Sequence, residues 1–314
     1  MNYKVYGMNA LEKDIPPSDI DGFIFFSTLE DRSWNVIERL IGFDKLPKEV
    51  FALSLENTIY SDNFEDEKYN GILFEHSEIN ADLSMSLLPC LMLIHKYVLN
   101  KNVIGLDISV IPTPIFSQIL HFLIEKHSDK KFVIYYTEPA HYNLDNLFDF
   151  NSFDGEIDIK SIPGFEGKTA QANDSQRVIF YLIGFEMNYL NKLIPQQINP
   201  DQIVPINGFP SYFPKYKDIS MINNDVNYHE LDVQVIFAEA NNPFETYNQI
   251  SGLQKRYNTY CIDIIPAGSK PMALGACLFA LKQGNNDIRV LYPFPTRYEN
   301  QKSIGNGKIW EYII

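Results

Sequence analysis

The feature that most constrains this chain is an internal duplication. Residues 103–142 read VIGLDISVIPTPIFSQILHFLIEKHSDKKFVIYYTEPAHY, and residues 259–298 read TYCIDIIPAGSKPMALGACLFALKQGNNDIRVLYPFPTRY. Laid side by side without gaps, Asp107 meets Asp263, Ile108 meets Ile264, Tyr136 meets Tyr292, Pro139 meets Pro295 and Tyr142 meets Tyr298. The same offset carries upstream, where the apolar run 23–28 leads to Glu30 and the run 178–183 leads to Glu186. Polar and aromatic matches in the loops are informative because packing alone does not demand them there. A repeat of this length makes each half one supersecondary unit.

Each half alternates apolar strand-like runs with helical patterns. In the first half strands are expected near 23–28, 50–55, 103–109 and 132–137, with helices near 32–41, 84–99 and 114–126. In the second the strands fall near 178–183, 203–207, 259–265 and 288–293, with helices near 186–194, 243–257 and 271–282. A further strand is expected at 233–239, with a weaker counterpart at 72–76. Continuous apolar strands alternating with helices indicate parallel sheets covered on both faces. The expected fold is α/β: two Rossmann-like halves, with mainly parallel sheets, related by pseudo-twofold duplication. Residues 1–150 form the first half and residues 151–314 the second, with the polar stretch 143–173 as the join.

Composition narrows the function. Lys and Arg number 26 against 40 Asp and Glu, a net charge of −14. Bulk DNA or RNA binding needs a basic surface for counterion release, and an anionic membrane repels such a chain for the same reason. A short anionic ligand in a locally positive pocket stays compatible with this charge. Cys90, Cys261 and Cys277 are odd in number and sit in apolar stretches, so they suggest neither a disulfide framework nor a zinc site. No apolar targeting segment is visible at the amino terminus, and no apolar run is long enough to span a bilayer. A cytoplasmic protein without a cofactor is the expectation.

In doubly wound sheets, ligands sit beyond the carboxyl ends of the strands. The loop Ile265-Pro266-Ala267-Gly268-Ser269-Lys270-Pro271 lies at such an end. Free amides at the start of the next helix, the Ser269 hydroxyl and the Lys270 ammonium would together cradle a phosphate or carboxylate. The same residues also suit an ordinary turn with a solvent-facing lysine. The loop lacks the spacing of a Walker A motif.

This strand–Gly-Ser-Lys–helix element resembles the Gly-Gly-Thr-Lys-type turn of CARF domains, and two such halves in one chain resemble SAVED domains. Those families are Rossmann-like sensors of cyclic or linear oligonucleotide messengers in bacterial antiviral systems. The resemblance implies that Gly268, Ser269 and Lys270 contact a nucleotide or cyclic oligonucleotide in a groove between the halves, with a separate effector protein as partner. The first half departs from the pattern, since Ile111-Pro112-Thr113-Pro114 offers neither glycine nor lysine. One asymmetric site fits this better than two equal ones.

Further candidates lie at other strand ends. Thr28 and Arg32 are one hydroxyl and one cation near a helix start, where Trp34 would either stack a base or fill the core. Gly184, Phe185 and Glu186 are the counterparts in the second half, joined by Asn207 and by the aromatics Phe209, Tyr212 and Phe213. Arg297 beside Tyr298 is one more cation, and Tyr136, Glu138, His141 and Tyr142 could form an acid–base patch. The segment 162–169 is a lesser glycine-bearing candidate. Asp107 and Asp263 would either orient a ribose or bond the amides of the next turn. No recognisable catalytic motif is present. Two alternatives stay open: an enzyme cleaving or modifying a nucleotide or phosphorylated metabolite, and a non-catalytic scaffold subunit.

Overall fold

The computed structural model describes residues 7–56, 69–142, 153–167, 176–185, 202–224, 234–283, 288–298 and 303–314. It divides into two compact units, one made of Asn2–Asn143 with Ser303–Ile314 and the other of Leu144–Lys302.

In the first unit the strands are β1 (Gly7–Leu11), β2 (Gly22–Phe26), β3 (Glu49–Leu55), β4 (Leu73–Ile79), β5 (Val103–Asp107) and β6 (Lys131–Tyr142), with β13 (Ser303–Ile313). They form a sheet in the order β1-β13-β6-β5-β2-β3-β4. From β4 to β6 all neighbours are parallel, and β13 runs antiparallel to both β6 and β1. Helices α1 (Arg32–Gly42), α2 (Leu88–Val98) and α3 (Thr113–Lys126) belong to this unit. The run Phe23 to Phe26 is buried, as expected of a strand covered on both faces. Trp34 is core: its ring meets Phe25 and Tyr69 at centroid distances of 5.2 Å each.

The second unit carries β7 (Phe153–Ser161), β8 (Arg177–Leu182), β9 (Gln202–Gly208), β10 (Ile236–Ala238), β11 (Cys261–Pro266) and β12 (Ile288–Tyr298). Their order is β10-β9-β8-β11-β12-β7, parallel from β10 to β12, with β7 antiparallel at the end. Its described helices are α4 (Pro214–Asn224), α5 (Pro243–Arg256) and α6 (Lys270–Lys282). Asn242 caps α5 by accepting from the Phe244 and Glu245 amides. Helices α5 and α6 lie close because Gly275 has no side chain: a Cβ there would stand 2.2 Å from the Pro243 carbonyl oxygen.

The five parallel strands of each unit thus follow the same order, third-second-first-fourth-fifth, which is the order of the first five strands of a Rossmann fold. The fold is α/β, two Rossmann-like halves with mainly parallel sheets, and the duplication extends to topology. No helix among the described residues is long and apolar enough to cross a membrane.

Two expectations about organisation need correction. The stretch 143–173 is not merely a join, because its residues 153–161 form β7. Nor does the second half keep everything from 151 to 314, since residues 303–314 belong to the first unit. The strand that follows β6 pairs with β12, and the strand that follows β12 pairs with β6. The two copies have exchanged equivalent strands: Tyr142 pairs with Ser303 and Tyr298 with Phe153. The helix expected over 186–194 lies outside the described residues.

Candidate functional site

In each sheet the strand order reverses between the first and fourth parallel strands, the place where crossovers leave to opposite sides and a crevice opens. In the second unit this point lies between β8 and β11. The chain leaving β8 passes Gly184 directly against the chain leaving β11: a Cβ on Gly184 would stand 2.1 Å from the Ala267 carbonyl oxygen. A Cβ on Gly268 would be 3.2 Å from both the Ile183 carbonyl oxygen and Met272 Sδ. Bare backbone therefore meets bare backbone at this crevice, beside the first turn of α6.

Ser269 caps α6 by accepting from the Met272 amide at 3.3 Å, and its hydroxyl donates to the Ala240 carbonyl. Its single proton is committed to the protein, so Ser269 shapes the turn and has no donor to offer a phosphate. Lys270, half-buried, is the first residue of α6 and brings a positive charge to the end of the helix that already favours anions.

Helix α4 supports the same crevice. Asn223 Nδ2 donates to the Phe185 carbonyl at 2.8 Å, and Asn224 Nδ2 donates to the Gly184 carbonyl at 3.3 Å. Asn207 is buried and occupied within the scaffold, donating to the Lys217 carbonyl and accepting from Ser220 Oγ at 3.0 Å. The Phe185 ring meets Tyr216 edge-on at 5.2 Å. Beyond the end of β9, Phe209 and Phe213 are exposed, and Phe237 of the edge strand β10 is exposed beside them. The Phe209 and Phe237 rings meet at 5.9 Å, and Lys217 Nζ lies 5.6 Å from the Phe209 ring centre.

The corresponding point of the first unit, between β2 and β5, is filled by the protein itself. Thr28 Oγ1 accepts from the Glu30 amide, and Ser33 Oγ closes the turn by donating to the Phe26 carbonyl at 2.7 Å. Arg32 is buried and forms an ion pair with Glu30. Its Nη1 donates to the Thr137 carbonyl at 3.1 Å and its Nη2 to Ser303 Oγ at 3.2 Å, while Ser303 Oγ donates to Glu30 at 2.5 Å. Burial opposes the guanidinium charge, yet Tyr136, Glu30 and Tyr142 hold its pKa above the ordinary value. This cation is neutralised from within, and Thr28 is a turn residue.

The matched aspartates have parted ways. Asp107 ends β5 and accepts from the Ser109 amide at 2.8 Å, as a turn-bonding carboxylate should. Asp263 instead faces Arg177 Nη1 at 2.9 Å and Arg289 Nε and Nη2 at 2.7 Å each, at the starts of β8 and β12. The expectation that both aspartates serve the loops after their strands therefore holds only for Asp107. With Arg289 opposite it in register and Arg177 reaching it from the start of β8, a fully buried carboxylate is more strongly held by them than by a turn.

Of the remaining candidates, Glu186 lies outside the described residues, and Arg297 is placed only as a backbone position in β12. The segment around Gly164 and Gly167 is structural: Phe165 is buried and its carbonyl accepts from the Val290 amide at 3.1 Å. Glu138 accepts from Trp310 Nε1 at 2.6 Å, and burial raises its pKa. Burial also pushes the Cys90 thiol up to about 11, which keeps it protonated. Among the described residues no group of three or more His, Cys, Asp or Glu side chains is arranged to hold a metal ion. The clamp from Asn223 and Asn224 had no sequence signal.

Together these features define an α/β protein of two Rossmann-like units with one switch point closed by its own side chains and the other lined by glycine backbone. No protein-family model and no curated protein matches the chain. Among solved structures it is similar to a universal stress protein from Archaeoglobus fulgidus DSM 4304, at 15% identity over 89% of this chain and 97% of that chain, with a TM-score of 0.26. A superposition that loose carries no functional argument, and the architecture rests on the strand pairing.

Proposed function

We propose that this protein is a ligand-sensing module that binds a nucleotide, or a cyclic oligonucleotide messenger, at the switch point of its second unit. The observation that carries the reading is the contrast between the two copies. Arg32 is neutralised by Glu30 in the first, whereas in the second Gly184 and Gly268 bring closely packed glycine backbone, free of side chains of its own, to the α6 start that carries Lys270. Phosphate would sit against those amides and the Lys270 ammonium. The exposed rings of Phe209, Phe213 and Phe237 offer faces on which bases would stack. The sensor would act through a separate effector protein, as the resemblance to CARF and SAVED domains implies, and the ligand would be bound rather than turned over.

Thermal-shift titration with a panel of mononucleotides and cyclic oligonucleotides tests this. One class of ligand should raise the melting temperature, and Lys270→Ala should weaken its binding about tenfold or more, the scale of one charge-assisted hydrogen bond. Failure of every ligand to stabilise the protein, or binding that survives Lys270→Ala unchanged, removes the proposal.

A further inference from the structure

The second unit has a cavity at the opposite end of its sheet. It measures about 350 Å³ and opens where the amino ends of β11 and β12 meet the carboxyl ends of α5 and α6. Ile262 and Ile288, paired in register, form an apolar floor. Tyr257 is buried and anchored through its hydroxyl, which donates to Gln202 Oε1 at 3.1 Å. Tyr260 stands perpendicular to it, at 5.4 Å and 89°, and presents a half-buried ring to the cavity. Three carboxamides, from Gln254, Asn258 and Gln283, supply both donors and acceptors around the walls.

The charge of the lining is as informative as its shape. Among the described residues that line this cavity there is no carboxylate, and the one charged side chain is the exposed Lys255. A metal or organic cation finds no counter-charge among these described residues. An apolar floor, one aromatic wall and a ring of amides suit a flat, uncharged group whose edge carries both donors and acceptors. Carboxamides match the edges of nucleobases in this way. The volume lies near the small end of the roughly 300–1,000 Å³ spanned by ligand sites, which limits the guest to about one ring system and its sugar.

We infer that this cavity is a second small-molecule site, separate from the switch point, for a nucleobase-class heterocycle whose anionic substituent reaches Lys255. It does not depend on the reading of the Gly184–Gly268 crevice.

Calorimetric titration of the full chain with adenosine, guanosine, cytidine and uridine, and with their 5′-monophosphates, tests the inference. At least one nucleoside should bind at sub-millimolar concentration. Tyr260→Ala should weaken it about tenfold, the scale of one base–aromatic stack, whereas Tyr260→Phe should leave it unchanged. Gln283→Leu should weaken binding, and Lys255→Ala should remove only the advantage of the monophosphate over the nucleoside. Lys270→Ala should leave these titrations as they are, which separates this site from the other. Absence of binding at millimolar nucleoside overturns the inference. So does binding that persists in both Tyr260→Ala and Gln283→Leu proteins whose melting temperatures match the parent.

Discussion

Tyr142, the last residue of β6, pairs with Ser303, the first residue of β13, and that pairing makes the first sheet depend on residues encoded after the whole second unit. β13 delivers Ile309 and Tyr312 to the buried interior, and its Glu311 accepts from the amide and hydroxyl of Ser18 at 2.8 and 2.7 Å. A fragment of residues 1–150 should therefore expose the β6 edge and elute as oligomers or aggregates in size-exclusion chromatography. Joining residues 303–314 to that fragment through a flexible linker should restore a monomer with a cooperative melt.

The matched aspartates should respond very differently to the same substitution. Asp263→Asn leaves two arginines facing a neutral group in a buried place and should cost about 3 kcal/mol or more in urea unfolding. Asp107→Asn keeps an oxygen able to accept from Ser109 and should cost about 1 kcal/mol or less. Equal losses would show that the arginine cluster is not what holds Asp263.

Adding a methyl group at either glycine of the crevice separates a hard backbone collision from a milder contact. Gly184→Ala places carbon against the Ala267 carbonyl and should destabilise by about 2 kcal/mol. At Gly268 the contacts are longer, the Ile183 carbonyl standing 3.2 Å off, and Met272 can rotate away, so Gly268→Ala should stay below about 1 kcal/mol while still narrowing the proposed phosphate seat. Melting temperatures rank the two, and ligand titration shows whether both lose binding.

Acid should loosen the first unit through His127. Its Nε2 lies 3.0 Å from His95 Nδ1, and burial, with further contributions from His95 and Lys130 against the opposing Asp129, lowers its pKa below the ordinary 6.5. The unfolded chain then takes up a proton before the folded one does. The stability that neutral His127 preserves is complete above pH 6.5 and is lost as pH falls through the depressed folded value. His76 shifts the same way, also chiefly through burial. Melting temperature should drop between pH 7 and 5, and His127→Gln should flatten that slope; an unchanged slope would assign the acid response elsewhere.

The parallel strands and most helices are legible because their apolar runs are continuous or regularly spaced. What escaped were the antiparallel strands. β7 (FDGEIDIKS) and β13 (SIGNGKIWEYI) carry acidic residues, lysine, glycine and asparagine that read as loop, since strands near a sheet margin keep one face polar. Their partners were less legible still. β13 follows β12 after a short connection, so the plain expectation is a hairpin, and only the folded sheets reveal the exchange. At the site, Lys270 and the two glycines announce themselves through turn chemistry. Asn223 and Asn224 do not, because their role depends on which carbonyls the fold brings beside α4.

The exchanged strands also set a schedule for folding. During synthesis the leading domain of a chain ordinarily closes first, shielding its apolar surface while the remainder is still emerging. Here the leading unit must wait for β13, which the ribosome makes only after every strand and helix of the other unit. Until then the β6 margin, Val133, Ile134 and Tyr135 among its residues, stands uncovered, and the two units reach completion together rather than in turn.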